Sequence, residues 1–308
     1  MSNDDLPQRI HALPCWSSPI SIEPLSGGMT NLNFKVRDQR GEFVVRFGED
    51  VPAHLISRSN EIHTGKAAEA LGFSPRVVHH EPGVMVTEFI AGEVLNEDRV
   101  RQSDMLPRVL TLIKRFHLEM PQRFTGVPVL FWVFQVIRHY GNVLGEHGSD
   151  YGSELPSLME ISRQLEHVVG PVDLVFGHND LLPGNFIDDG DRIWLIDFDY
   201  AGFNSPLFDL ANLGANNQLT EEQERWMLDF YFAGGEIGTP GDIGSENLWR
   251  RYQAMKCASL LREVMWSMVS ESISSIDFDY RSYTLENQRR FKKVYAQFAS
   301  DYASHSET

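Results

Sequence analysis

The chain has 308 residues, 42% of them hydrophobic and 23% charged, so it is long enough to bury large cores and to divide into two lobes. Its formal net charge of −16 argues against a nucleic-acid partner, which needs clustered Lys and Arg, and is compatible with a small cationic one. Two cysteines, Cys15 and Cys257, cannot build a disulfide framework, which makes a reducing cytoplasm the expected setting.

The polar, acidic start Met1-Ser2-Asn3-Asp4-Asp5 does not read as a signal peptide. The longest apolar run, Val127 to Val136, is too short to span a bilayer, and no membrane insertion is expected. From Ile20 to Val36 apolar residues alternate on both sides of Gly27-Gly28, which predicts strand, glycine turn, strand. Glycine there lets main-chain amides approach a phosphate, with Ser26, Thr30 and Asn31 as further donors, although a purely structural hairpin would use the same residues.

Glu42 to Phe47 predicts the next strand and carries Arg46 among apolar neighbours. A half-buried arginine wants a paired anion; otherwise Arg46 is a surface residue on an edge strand. The helix predicted over Arg58 to Gly72, with stop signals at Gly72 and Pro75, offers Glu61 as that anion. Val84 to Gly92 is an apolar strand running into a turn. A lobe boundary is expected there, dividing the chain into residues 1–90 and 91–308, and the main chain of Glu88 and Ile90 could hold an adenine. His79 and His80, adjacent on a strand, point to opposite faces and are read as surface residues rather than metal ligands. Gly65-Lys66 lacks the earlier glycine and the Ser or Thr of a P-loop. Helical patterns follow over Asp104 to His117 and Phe131 to Val143, with His117 read as packed or capping.

The chain is organised around Leu174 to Asn212. The run His178-Asn179-Asp180-Leu181-Leu182-Pro183-Gly184-Asn185 and the run Ile196-Asp197-Phe198-Asp199-Tyr200 flank the turn formers Asp188-Asp189-Gly190-Asp191, which predicts a β-hairpin. Symmetric pairing about Asp189 and Gly190 would put Asp197 opposite Leu182, between Asp180 and Asn185. Two carboxylates and an amide then converge. Oxygen-only donors suit Mg²⁺, and an acid standing apart from the metal could orient a hydroxyl and accept its proton. Asp-x4-Asn followed by a strand-borne Asp-Phe is the spacing of protein-kinase catalytic loops, where the first Asp is the base and the Asn and later Asp hold metal. The alternative is a turn that uses Asp and Asn only for main-chain hydrogen bonds. Asp209 opens a helix, where a carboxylate caps free amides; in kinases an acid here also braces the catalytic loop. Glu221 to about Asp301 is predominantly helical.

These residues carry a resemblance. Leu25-Ser26-Gly27-Gly28-Met29-Thr30-Asn31, His178-x-Asp180-x4-Asn185 and Asp197-Phe198 resemble the aminoglycoside phosphotransferase-like kinases. A narrower similarity to the choline/ethanolamine kinase family rests on Arg46, where most kinases have lysine, on Ile196 to Asn204 continuing into Phe208-Asp209-Leu210-Ala211-Asn212, and on Trp266-Ser267-Met268-Val269 with Ile273 to Tyr283. It covers about residue 20 to 295.

The resemblance implies an α+β, bilobal protein-kinase-like fold with a small antiparallel β-sheet lobe plus a helix and a larger, mainly helical lobe. It implies ATP and Mg²⁺ as cofactors and choline or ethanolamine as acceptor. Asp180 matches the catalytic base, Asn185 and Asp197 the Mg²⁺ ligands, and Arg46 with Glu61 the phosphate-positioning pair. Tyr200, Trp266, Phe278 and Tyr283 match the positions that line the family's choline pocket, with Asp199 beside them. A quaternary ammonium has no hydrogen to donate and is held by aromatic faces and nearby negative charge. Many family members have a second tryptophan three residues before the one matching Trp266, and Glu263 stands there in this chain. Positions three apart share a helix face, so a carboxylate there could suit a primary ammonium or add charge beside choline. The same machinery could serve an aminoglycoside or a sugar, whose site should be rimmed by acids. A silent nucleotide-binding module would require loss of the base or a metal ligand, and neither is lost.

Overall fold

The protein's structure, a computed structural model, describes residues 5–25, 31–233, 245–274, 276 and 278–305; Ser26, Gly27, Gly28 and Thr30 lie outside the described residues. Five antiparallel strands, β1 (Ser21–Leu25), β2 (Leu32–Asp38), β3 (Gly41–Phe47), β4 (Val77–Glu81) and β5 (Val84–Glu88), form one sheet in the order β1-β2-β3-β5-β4. Period-two alternation sets its faces: Phe43, Val45 and Phe47 of β3 bury into a small core with Val36, Val84 and Val86, while Val44 and Arg46 face the other way. Helix α1 (Leu6–Ala12) adds Leu6 and Ile10 to that core. Because β3 lies in the middle of the sheet, Arg46 is not an edge-strand surface residue; its side chain is 12% exposed.

Helix α2 (Arg58–Ala70) crosses from this sheet to the larger core. Ala67, Ala68 and the following Phe73 bury with the helices, and Phe73 O accepts from Leu195 N at 2.8 Å. Beyond β5 come β6 (Glu93–Val94), α3 (Glu97–Val100), α4 (Met105–Glu119), α5 (Val133–Glu146) and α6 (Leu155–Val169). Then follow β7 (Val175–Gly177), β8 (Phe186–Asp188), β9 (Ile193–Leu195), β10 (Gly202–Asn204), α7 (Pro206–Asn216), α8 (Glu221–Phe232), α9 (Glu246–Ile273) and α10 (Tyr280–His305). Helix α9 is buried on several faces because α5, α6, α7 and α10 pack around it, which is why it shows no single apolar stripe. The architecture is α+β, an antiparallel sheet at the N-terminal end and a mainly helical remainder. Among the described residues no helix is long and apolar enough to cross a membrane.

The central hairpin forms, but its register differs from the symmetric pairing about Asp189 and Gly190. Phe186 pairs with Leu195, Ile187 with Trp194 and Asp188 with Ile193. Asp189 sets this register: its Oδ1 accepts from the amides of Asp191 and Arg192 at 2.9 Å each, while Gly190 adopts φ +95°. The Asp189 amide donates to Arg192 O, so residues 189–192 make the turn. Ile196 N donates to Asn185 O at 3.0 Å, which carries Asp197 alongside Gly184 and Asn185 rather than Leu182.

Candidate active site

The loop from His178 to Asn185 is held from behind. Asp209, 1% exposed, accepts from the main-chain amides of His178 and Asn179 at 2.7 Å each and meets His117 Nε2 at 2.8 Å. Burial pushes its carboxyl up, but the His117 hydrogen bond and charge outweigh that and hold it below the usual range. The cap of α7 is Ser205, whose Oγ accepts from Leu207 N, so Asp209 braces the loop and does not cap the helix. His117 is packed, as expected, between Asp209 and Tyr231.

Asn179 sits at φ +65° and donates to the carbonyls of Tyr200 (2.9 Å) and Gly202 (3.2 Å). The buried His178 ring lies 5.4 Å from Phe198, and its Nε2 meets Ile196 O at 3.0 Å. Burial lowers this histidine's pKa, so the imidazole is neutral and Nε2–H is the donor. These bonds tie the Asp180 arm to the Asp197 arm.

On the sheet side the charges form a closed network. Arg46 reaches Glu61 at 2.8 Å, Asp197 at 3.1 Å and Asp199 at 2.6 Å. Arg58, the first residue of α2, reaches Glu61 at 2.7 Å, Asp199 at 2.6 Å and Asn31 Oδ1 at 2.8 Å. Asp199 is therefore tied to two arginines, Arg46 and Arg58, while lining the same cavity as Tyr200, Trp266 and Tyr283. Arg58 escaped sequence reading; its i,i+3 spacing to Glu61 was the available signal. Asp197 adopts φ +68°, a left-handed conformation that Asp tolerates, and keeps its side chain 37% exposed. Burial pushes its carboxyl up, yet Arg46 outweighs that and keeps it low.

Asp180 lies across from this network, with its nearest cation, Arg262 Nη1, at 3.7 Å. Burial pushes its carboxyl up to about 7 despite Arg262, and Glu263, Asp197 and Asp199 add to the rise. Asn185 Nδ2 donates to Asp180 O at 2.9 Å, leaving Oδ1 for another partner.

Beyond Asp180 lie the aromatic residues. Trp266 Nε1 donates to Tyr200 Oη at 2.8 Å, and Tyr283 Oη donates to Glu263 Oε1 at 2.7 Å while its ring meets Trp266 edge-on. Phe278 does not reach this group's cavity: it is 41% exposed and packs edge-on against Tyr280 and Tyr283. Sequence reading also passed over Arg262, 2% exposed on α9; a lone arginine within the apolar stretch 257–269 was its signal.

One cavity of about 760 Å³ joins these parts. It runs from Asn31, Arg46 and Glu61 and from the Glu88–Ile90 linker, past Asp180, Asn185, Asp197 and Asp199, to Tyr200, Glu263, Trp266 and Tyr283. That volume suits one bound small molecule beside another.

Residues 22–217 match the choline/ethanolamine kinase family. The chain is 26% identical over 311 residues to probable choline kinase 3 of Arabidopsis thaliana, covering 90% of this chain and 86% of that protein. It is 29% identical over 210 residues to protein LicA of Haemophilus influenzae; the match takes in 67% of this chain and 61% of that protein. Among solved structures, a choline/ethanolamine kinase family protein from Mesorhizobium loti superposes with a TM-score of 0.70 at 27% identity, covering 96% of this chain and 95% of that one.

Proposed function

The chain belongs to the choline/ethanolamine kinase family and is a small-molecule kinase, and from that premise we propose that it transfers the γ-phosphoryl group of ATP to the primary hydroxyl of a small amino alcohol. The observation that carries this reading is the cavity with Asp180, Asn185 and Asp197 at its middle, Arg46 with Glu61 at one end and Trp266, Tyr283 and Glu263 at the other.

Residues 1–90 serve as the nucleotide lobe in this reading and 91–308 as the catalytic lobe. The main chain of Glu88 and Ile90 holds adenine; Asn31, with Ser26, Gly27, Gly28 and Thr30, covers the phosphates. Arg46, oriented by Glu61, presents its guanidinium to them. Asp180 orients the acceptor hydroxyl and takes its proton as the oxygen attacks. Trp266, Tyr283 and Glu263 hold the cationic head group while Tyr200, hydrogen-bonded to Trp266, backs them.

The Asn185 amide oxygen and the Asp197 carboxylate form the oxygen-only donor pair that fits Mg²⁺, and the half-open Asp197 side chain faces the cavity. When bound, the metal neutralises charge on the phosphoryl oxygens. The chain's two free cysteines fit a cytoplasmic setting.

An ATP-consumption assay with Mg²⁺ against choline, ethanolamine, an aminoglycoside and a sugar tests this. Turnover is expected with an amino alcohol alone; turnover confined to the aminoglycoside or the sugar would overturn it.

A further inference from the structure

We propose that Arg262 is a built-in cation of the acceptor subsite: its guanidinium takes the face of Tyr200, leaving Glu263 as the head-group anchor, so the site selects an ammonium that bears N–H groups over a quaternary one. This deepens the amino-alcohol reading and rests on it.

The Arg262 guanidinium lies 4.5 Å from the Tyr200 ring centroid and 5.9 Å from that of Phe131. Its Nη1 pairs with Glu263 at 2.6 Å and approaches Asp180 at 3.7 Å. Its Nε and Nη2 are buried without a hydrogen-bond partner among the described residues. A cation in that state is held by an aromatic face and two carboxylates, the same groups that would hold a quaternary ammonium. The burial of Arg262 is sustained by Glu263, paired with it at 2.6 Å, since one buried guanidinium without a counter-charge is strongly unfavourable.

With Tyr200 covered, little of an aromatic cage is left. The Trp266 ring stacks on His54 at 5.0 Å, and its N–H already bonds Tyr200. Tyr283 meets Trp266 edge-on, and its hydroxyl bonds Glu263. Glu263 gains what the cage loses. Its two oxygens are fixed by separate donors, Oε1 by Tyr283 and Oε2 by Arg262, and each keeps a lone pair for another N–H.

Steady-state kinetics with ATP and Mg²⁺ on ethanolamine, its N-methylated forms and choline test this, in the native protein and in Arg262→Met, Arg262→Lys and Glu263→Gln. In the native protein kcat/KM should fall with each added methyl, by about tenfold in all, the value of one such contact. Arg262→Met should move the choline-to-ethanolamine ratio about tenfold toward choline, chiefly through KM, whereas Arg262→Lys should keep the native preference. Should Arg262→Met fail to fold, Glu263→Gln, isosteric and on the surface of the cavity, should raise KM for ethanolamine more than for choline. Equal or greater turnover of choline by the native protein, or an unchanged ratio in Arg262→Met and Glu263→Gln, overturns the proposal while leaving the amino-alcohol reading intact. Absence of turnover and of thermal stabilisation with every amino alcohol overturns both.

Discussion

Arg46 of the central β3 strand meets Asp197 of the catalytic hairpin at 3.1 Å, although 151 residues separate them in the chain. The same guanidinium holds Glu61 at 2.8 Å and Asp199 at 2.6 Å, so one side chain ties the sheet, helix α2 and the catalytic arm together. Only a planar fork with several donors can do this. Arg46→Lys should therefore lower kcat/KM for ATP by at least about tenfold and also lower the melting temperature, because an ammonium leaves a buried carboxylate without its partner. Kinetics and thermal unfolding together check this; a lysine variant with native values in both would remove Arg46 from the network's centre.

Asp180 gives the second expectation. Asp180→Ala should bind ATP with near-native affinity by calorimetry but lose about 10²- to 10⁴-fold in turnover, the range attributable to a positioned general base. Near-normal turnover in that variant would take Asp180 out of the reaction.

The same carboxyl sets a pH dependence whose sign is fixed by burial. Its pKa is pushed up to about 7, and the base is competent only when ionised, so kcat/KM should rise as pH increases through about 7 and fall below it. For stability the sign is opposite to that of a salt-bridged acid. An acid whose folded pKa exceeds its unfolded value of roughly 3.9 is unfavourable to the fold once ionised. Asp180→Asn should thus raise the melting temperature at pH 8 more than at pH 4, and a larger gain at pH 4 would contradict the burial argument.

The chemistry was legible in the sequence where it is local. Asp180 and Asn185 share one turn, Asp197 follows one hairpin later, and Arg46 in an apolar strand asked for an anion that Glu61 supplied. What escaped depends on tertiary contacts. The hairpin register turned on Asp189 binding its own turn amides, and no alternation pattern carries that. For Asp209 the sequence left a helix cap and a loop brace both open, and the amides of His178 and Asn179 aimed at it decide for the brace. Arg262 shows as a lone arginine within the stretch 257–269 of α9, and only the fold reveals Tyr200 beneath it. Phe278 matched a pocket position by order along the chain, yet its ring packs edge-on against Tyr280 and Tyr283 and does not line the cavity.

Asp209 supplies a stability expectation. It satisfies two buried main-chain amides and His117, so Asp209→Ala orphans two N–H groups, each worth about 1 to 3 kcal/mol when left unpaired. Urea unfolding should show a loss of about 3 kcal/mol or more, with turnover falling because His178 and Asn179 position the loop that carries Asp180. Native stability in this variant would mean that the brace is dispensable.

Asp197 is where sheet and hairpin charges converge, and it is half-open to the cavity. Asp197→Ala removes a carboxylate from both Arg46 and the proposed metal position, so two readouts should separate. Without Mg²⁺, ATP affinity should hold or improve, because Arg46 loses a competing anion and faces the phosphates with more of its charge. With Mg²⁺, the native protein should bind ATP more tightly than without it, and the variant should lose most of that gain. The comparison is internal to each protein, so a general loss of fold would lower both arms and be recognised as such. A variant whose ATP affinity rises with Mg²⁺ as steeply as the native protein's would show that Asp197 holds no metal and serves Arg46 alone.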